Sequence, residues 1–218
     1  MVASMTIVSH AAAPPALIPF VRQKLAAPAR KKAHPRGDEY IVAGQREEAI
    51  SAALAAATPA AVLIGLIARP DGPTVLLTER STHLRSHSGQ VAFPGGKIDP
   101  GEDAVEAALR EAEEEIGLAR KHVEPFAALA PYLSGSGYCI TPVVAEIHPP
   151  FQLDINPDEV AETFEAPFAF VMDPANHQRQ SREWKGAMRH FYAMPWNDHY
   201  IWGVTAGILR NMYERLYA

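Results

Sequence analysis

The strongest constraint on this chain is the stretch from Gly96 to Leu118, where a glycine turn runs into a segment carrying two different stripes. Val105, Ala108, Leu109, Ala112 and Ile116 recur at helical spacing and predict a buried apolar stripe. Glu111, Glu114 and Glu115, at i, i+3 and i+4, lie a quarter turn or more from its centre and point the same way. Pro100-Gly101 gives a turn, Asp103 is placed to cap the positive end of the helix, and Gly117 to end it in a left-handed conformation. Such a segment needs an apolar surface on one side and a cleft or solvent on the other. Carboxylates held together repel one another unless a cation sits among them, and hard divalent ions such as Mg2+ prefer oxygen ligands of this kind. A cation on a helix after a glycine loop points to phosphate chemistry. From spacing alone, a solvated acidic helix face is the simpler explanation.

The flanking elements frame this helix. Residues 46–57 read as a helix of good helix formers. Residues 61–68 and 74–78 are β-branched-rich runs joined by Pro70-Asp71-Gly72-Pro73, which predicts a tightly connected strand pair. Residues 90–93 form a short strand into the glycine turn, and 125–133, 140–147, 151–153, 160–164 and 188–194 are further strand candidates. Residues 168–172 begin a helical or turn segment. Residues 204–216 read as a closing helix that buries Ile208, Leu209, Met212 and Leu216. Strands on either side of one long helix, with another helix at the end, predict an α/β sandwich around a mixed sheet.

Composition narrows the function. The length, 218 residues, suits one domain, and a 48% hydrophobic share suffices for its core. No apolar run has the length of a membrane span. Cys139 is the single cysteine, which rules out an intrachain disulfide and suits a reducing, cytoplasmic compartment; it reads as a small buried hydrophobe. The net charge of −5 is unevenly spread. Residues 1–37 form a basic, Pro/Ala-rich arm with no acid and with Arg22, Lys24, Arg30, Lys31, Lys32 and Arg36. Without those six cations, 14 basic residues face 25 acids, a net −11 on residues 38–218. A body this acidic argues against general nucleic-acid binding and requires metal ions and local cations for any anionic substrate. The arm reads as a partly ordered segment with a short helix at Ile18–Leu25, rather than a signal peptide.

With these residues in view, the chain resembles the Nudix hydrolase family. The family's box, G-x5-E-x7-R-E-U-x-E-E-x-G-U with U a bulky apolar residue, is filled by Gly96, Glu102, Arg110, Glu111, Glu114, Glu115, Gly117 and Leu118. Ala112, at the first U, is smaller than the pattern asks. The segment from Leu76 to Gly96 is similar to the signature of the coenzyme A diphosphatase subgroup, L-L-T-x-R-S/A-x3-R-x3-G-x3-F-P-G-G, at every fixed place. Segments 156–160, 173–177 and 200–203 also look like that subgroup, so the resemblance spans about residues 40–218.

The resemblance implies a Nudix-type α/β/α sandwich with a loop–helix–loop box over residues 38–218. It implies a hydrolase that uses Mg2+ or Mn2+ to cleave the diphosphate of coenzyme A and its derivatives. The products would be 3′,5′-ADP and (acyl-)4′-phosphopantetheine. It also implies that Glu111 and Glu115 hold metal, with Glu114 joining when several ions bind. Glu102 reads either as a weaker ligand or as an acceptor that fixes the loop. Arg110 is expected to orient a glutamate, and Gly95 and Gly96 to let the backbone approach the site. Arg80, Arg85 and Lys97 are candidates for substrate phosphates, against ion pairing within a loop for the arginines and simple exposure for the lysine. His83 and His87 flank that loop and read as surface imidazoles, and Glu159 as a surface acid or a base lent from an opposite loop. The rival functions are hydrolysis of another nucleoside diphosphate derivative, such as NADH or ADP-ribose, and a non-catalytic binding module on the same fold. Neither a nucleic-acid nor a membrane partner is expected.

Overall fold

The computed structural model describes residues 17–27, 47–84, 87–184 and 187–217; for residues 47–51, 184 and 187 it describes the backbone alone. In chain order the elements are α1 (Leu17–Ala26), α2 (Glu47–Ala56), β1 (Thr58–Ile67), β2 (Thr74–Arg80), β3 (Val91–Ala92), β4 (Gly95–Lys97) and α3 (Ala104–Ile116). Then come β5 (Val123–Ala128), β6 (Tyr132–Leu133), β7 (Tyr138–Ile147), β8 (Val160–Pro167) and α4 (Phe168–Val171). The chain closes with β9 (Gln178–Trp184), β10 (Ala187–Trp196), β11 (His199–Trp202) and α5 (Gly203–Tyr217).

The strands β1 to β8 form one mixed sheet, with the path β3-β2-β1-β7-β5; β4 also pairs with β1, β6 with β7 and β8 with β2. Its centre is the parallel pair β1 and β7, in unbroken register from Thr58 opposite Tyr138 to Ile67 opposite Ile147. A sheet buried on both faces needs strands apolar on both sides, and β1 supplies them in alternation. Ala61, Leu63 and Ile67 pack with Ala107, Ala108, Ala112 and Ile116 of α3. Ala60, Ile64 and Leu66 pack with Ile208, Leu209 and Met212 of α5 on the other face. This is the α/β/α sandwich. The small side chain of Ala112 suits its place, since it is wholly buried between helix and sheet. The predicted buried face of α5 is found as read.

One feature extends the sequence reading and two differ from it. The helix foreseen in the arm is α1, and its Ile18 and Val21 are buried in the same core as α5. Arg22 pairs with Glu146 at 2.8 Å and Glu124 at 2.9 Å, and its guanidinium lies 4.3 Å over the Phe126 ring. Packing therefore extends across the boundary drawn between residues 37 and 38. Residues 151–153 form no strand. Phe151, Leu153 and Ile155 pack under α3, and the N–H groups of Asp154 and Asn156 donate to the Ile116 and Glu115 carbonyls at 2.9 Å. The segment satisfies helix-end carbonyls that would otherwise lack partners. Finally, β9 to β11 form a separate antiparallel sheet in the order β11-β10-β9, of which the sequence pattern predicts only part of β10.

Candidate active site

The box helix is held at both ends by its own sequence. Asp103 accepts from the N–H groups of Val105 (2.8 Å) and Glu106 (2.9 Å), while Glu106 accepts from the Asp103 N–H, completing a capping box. Gly117 takes φ 65° and ψ 18°, and a side chain there would meet the Asp154 backbone nitrogen at 2.7 Å. At the loop, β4 pairs with β1 and brings Gly96 against α3. A Cβ on Gly96 would overlap the Glu111 carboxylate, so only glycine lets that carboxylate lie against the loop.

Arg110 is the hub of the acid stripe. It forms a bidentate pair with Glu102, at 2.7 and 3.0 Å, and reaches Glu111 at 2.9 Å, Glu114 at 3.0 Å and the Lys97 carbonyl at 3.0 Å. Glu102 also accepts the Asp99 N–H at 3.1 Å, so it stitches loop to helix; the arginine holds its carboxyl below the ordinary value. The three stripe acids have unequal surroundings. Glu114 is exposed, Glu111 is partly buried, and Glu115 is only 3% exposed. The Glu115 carboxylate accepts the Gly95 N–H at 3.1 Å and lies 3.8 Å from the Arg80 guanidinium. Burial pushes its pKa up to about 7, the charges of Glu111 and Glu159 add to the rise, and Gly95 and Arg80 oppose it. Burial likewise raises Glu111, against the pull of Arg110.

Glu111, Glu115, Arg80, Gly95, Gly96 and Lys97 all line one cavity of about 750 Å³. Glu114 and Arg110 do not line it; they stand behind it as neighbours of Glu111. Arg85 lies outside the described residues. Arg80, at the end of β2, is anchored by its backbone, which exchanges hydrogen bonds with Gln90 (3.0 Å) and Gly89 (3.1 Å). Its Nε is buried without a hydrogen-bond partner among the described residues. A guanidinium nitrogen left so is ready to donate to an anion. Glu159, read first as a surface acid, shares the cavity. Its own N–H donates to the Asn156 carbonyl at 3.1 Å, and its carbonyl accepts the Ser81 N–H at 2.9 Å, which holds it beside the Arg80 strand end. His87 also lines the cavity, whereas His83 is exposed outside it.

A divalent cation suits the chemistry of this donor set. Two carboxylates on one cavity wall are both pushed towards protonation by burial and by neighbouring negative charge, a penalty that a cation between them would remove. In the present arrangement Arg110 draws Glu111 and Glu114 to itself, while Glu115 turns to Gly95 and Arg80. Among the described residues, the groups whose ligand atoms already lie within 4.8 Å of one another are elsewhere: Glu79, Glu162 and His199, and Glu124, Glu146 and His148. Arg22 pairs with both glutamates of the second group.

The sequence reading missed the far wall of the cavity, where Arg182, Arg189, Phe191 and Trp202 come from the second sheet. A period-2 pattern, Gln178, Gln180 and Arg182, was available in β9, but its lack of apolar residues conceals it as a strand.

Residues 57–191 match the family model described as the NUDIX domain. A protein of Photorhabdus laumondii described as an uncharacterized Nudix hydrolase NudL is 41% identical over 158 residues, covering 72% of this chain and 84% of that protein. One of the same description from Yersinia pestis is 40% identical over 158 residues, covering 72% of this chain and 79% of its own. Among solved structures, the Nudix hydrolase RenU from M. smegmatis is similar at 27% identity and a TM-score of 0.46, over 52% of this chain and 73% of that one.

Proposed function

The chain belongs to the Nudix hydrolase family, whose members act on nucleoside diphosphate derivatives and generally require divalent metal ions, and we propose that it cleaves the diphosphate of coenzyme A and its derivatives. The products are 3′,5′-ADP and 4′-phosphopantetheine, the latter keeping any acyl group. The observation that carries this reading is the placement of residues 76–84 and 87–96. It delivers Arg80, with its unpaired buried Nε, together with Gly95 and Gly96, to the cavity that holds Glu111 and Glu115.

Glu111 and Glu115 would hold Mg2+ or Mn2+, with Glu114 as a further ligand when several ions bind. When bound, the cation neutralises diphosphate oxygens and makes water a better nucleophile. Arg110 acts through others: it orients Glu111 and ties the helix to the loop through Glu102. Arg80 and Lys97 bind phosphate oxygens from the cavity wall. Gly95 and Gly96 keep side chains out of the space between loop and helix. Hydrolysis forms one P–O bond to water and breaks the bridging P–O bond, so the entering water gives up a proton. Glu159, on a turn facing the cavity and not on the box helix, is the acceptor we assign.

A substrate panel with Mg2+ and Mn2+, with products identified by mass spectrometry, tests this. Coenzyme A should give 3′,5′-ADP and 4′-phosphopantetheine. If coenzyme A is spared while NADH or ADP-ribose is cleaved efficiently, the substrate assignment is wrong. If none is cleaved while a nucleotide of the panel still binds, the non-catalytic binding module is the better reading.

A further inference from the structure

The second sheet carries a charge arrangement that the hydrolytic centre does not use. Arg182 of β9 and Arg189 of β10 are direct cross-strand partners. Side chains directly opposite on an antiparallel pair share one face. Phe191, two residues on from Arg189, shares that face and meets Trp202 of β11 edge-on, with ring centroids 5.5 Å apart at 66°. All four residues line the cavity that holds Glu111, Glu115 and Arg80. One wall of the cavity therefore offers carboxylates and an arginine to a diphosphate. The other offers two guanidiniums beside an aromatic pair.

We propose that Arg182, Arg189, Phe191 and Trp202 form a subsite for a phosphorylated nucleoside, with a monoester phosphate between the two guanidiniums and the base against the aromatic pair. A phosphate monoester offers several acceptor oxygens, which match the planar, forked donor geometry of two guanidiniums on one wall. Aromatic faces accept any base by stacking, so the discriminating group is the phosphate. The proposal rests on the coenzyme A reading, because that substrate carries a 3′-monoester on its ribose in addition to the diphosphate. It assigns the pair the task of selecting 3′-phosphorylated substrates over those that lack this group.

The test combines binding and turnover. Calorimetry in the presence of Mg2+ compares 3′,5′-ADP with 5′-AMP on the wild-type protein, Arg182→Gln, Arg189→Gln and the double variant. The wild type should bind 3′,5′-ADP about 10- to 100-fold more tightly than AMP, the range expected of one or two charge-assisted hydrogen bonds. The double variant should lose that preference, and lysine at both positions should restore part of it. In turnover, the ratio of kcat/KM for coenzyme A to that for dephospho-coenzyme A should collapse towards one in the double variant, chiefly through KM. Equal binding of 3′,5′-ADP and AMP by the wild type overturns the subsite, as does a preference that survives in the folded single and double variants. Circular dichroism identifies folded variants; should the double variant fail to fold, the exposed Arg182→Gln decides alone. A wild-type enzyme that leaves coenzyme A intact but still binds 3′,5′-ADP selectively defeats the substrate reading and leaves the subsite standing.

Discussion

Replacing Glu115 with glutamine should make the metal-free protein more stable while removing its activity. The carboxyl of Glu115 has a pKa of about 7 in the fold against an ordinary 4.5, chiefly because it is buried. Between those values the folded chain keeps a proton that the unfolded chain has lost, so this group's contribution to stability falls as pH rises through that window. At 1.36 kcal/mol per pKa unit, the accumulated loss above pH 7 is on the order of 3 kcal/mol. Glutamine cannot ionise, and its amide oxygen still accepts the Gly95 N–H. Urea denaturation in EDTA should show wild type and Glu115→Gln close to equal near about pH 4.5, with the variant ahead by up to about 3 kcal/mol near about pH 8. For a domain of this size that is a rise in Tm of about 6–12 °C. Added Mg2+ should stabilise the wild type more than the variant, because the variant lacks a ligand. Turnover should fall by at least about 100-fold. A stability difference that does not change between about pH 5 and 8 would refute the account of Glu115 as a buried, strained carboxylate. Near-normal turnover would refute its place among the metal ligands.

Gly96→Ala places a methyl group on the Glu111 carboxylate, so kcat should fall by about 10- to 1,000-fold with the fold kept, as read by steady-state rates and circular dichroism. If Glu159 takes the proton, Glu159→Gln lowers kcat by about 100- to 10,000-fold with KM little changed; a near-normal kcat assigns the proton elsewhere. Arg22→Ala removes the ion pairs to Glu124 and Glu146 and the stacking on Phe126, and should lower Tm by about 2–4 °C, an effect that shrinks in high salt.

Legibility followed what each residue faces. The strands β1 and β7 are readable as continuous apolar, β-branched-rich runs, and the helices α3 and α5 because their apolar residues repeat at helical spacing. The box acids were readable as a group, but their ranking was not. Glu115 lies one residue from Glu114, yet one is sealed under the loop and the other is in solvent, a difference set by where β4 crosses the helix. The strand β4 itself escaped notice because Gly95 and Gly96 are selected for close approach, not for strand propensity. Residues 151–153 read as a short strand, but the neighbouring N–H groups go to the end of α3 instead of a ladder. The strand β9 escaped for the opposite reason. It places Arg182 on the cavity wall and has no apolar face, so its sequence looks like loop.

The parallel pairing of β1 with β7 has a kinetic consequence. Thr58 meets Tyr138 across a loop that contains β2, the glycine turn and the entire box helix. Closing a loop of roughly 80 residues carries an entropy penalty of about 4 kcal/mol before the first rung returns anything. Short-range hairpins such as β1 with β2 can form ahead of it, but the central ladder must wait for the whole intervening chain. The acid helix docks on that ladder, with its alanines against Ala61 and Leu63. Formation of the candidate site on that helix is therefore coupled to closure of the central ladder.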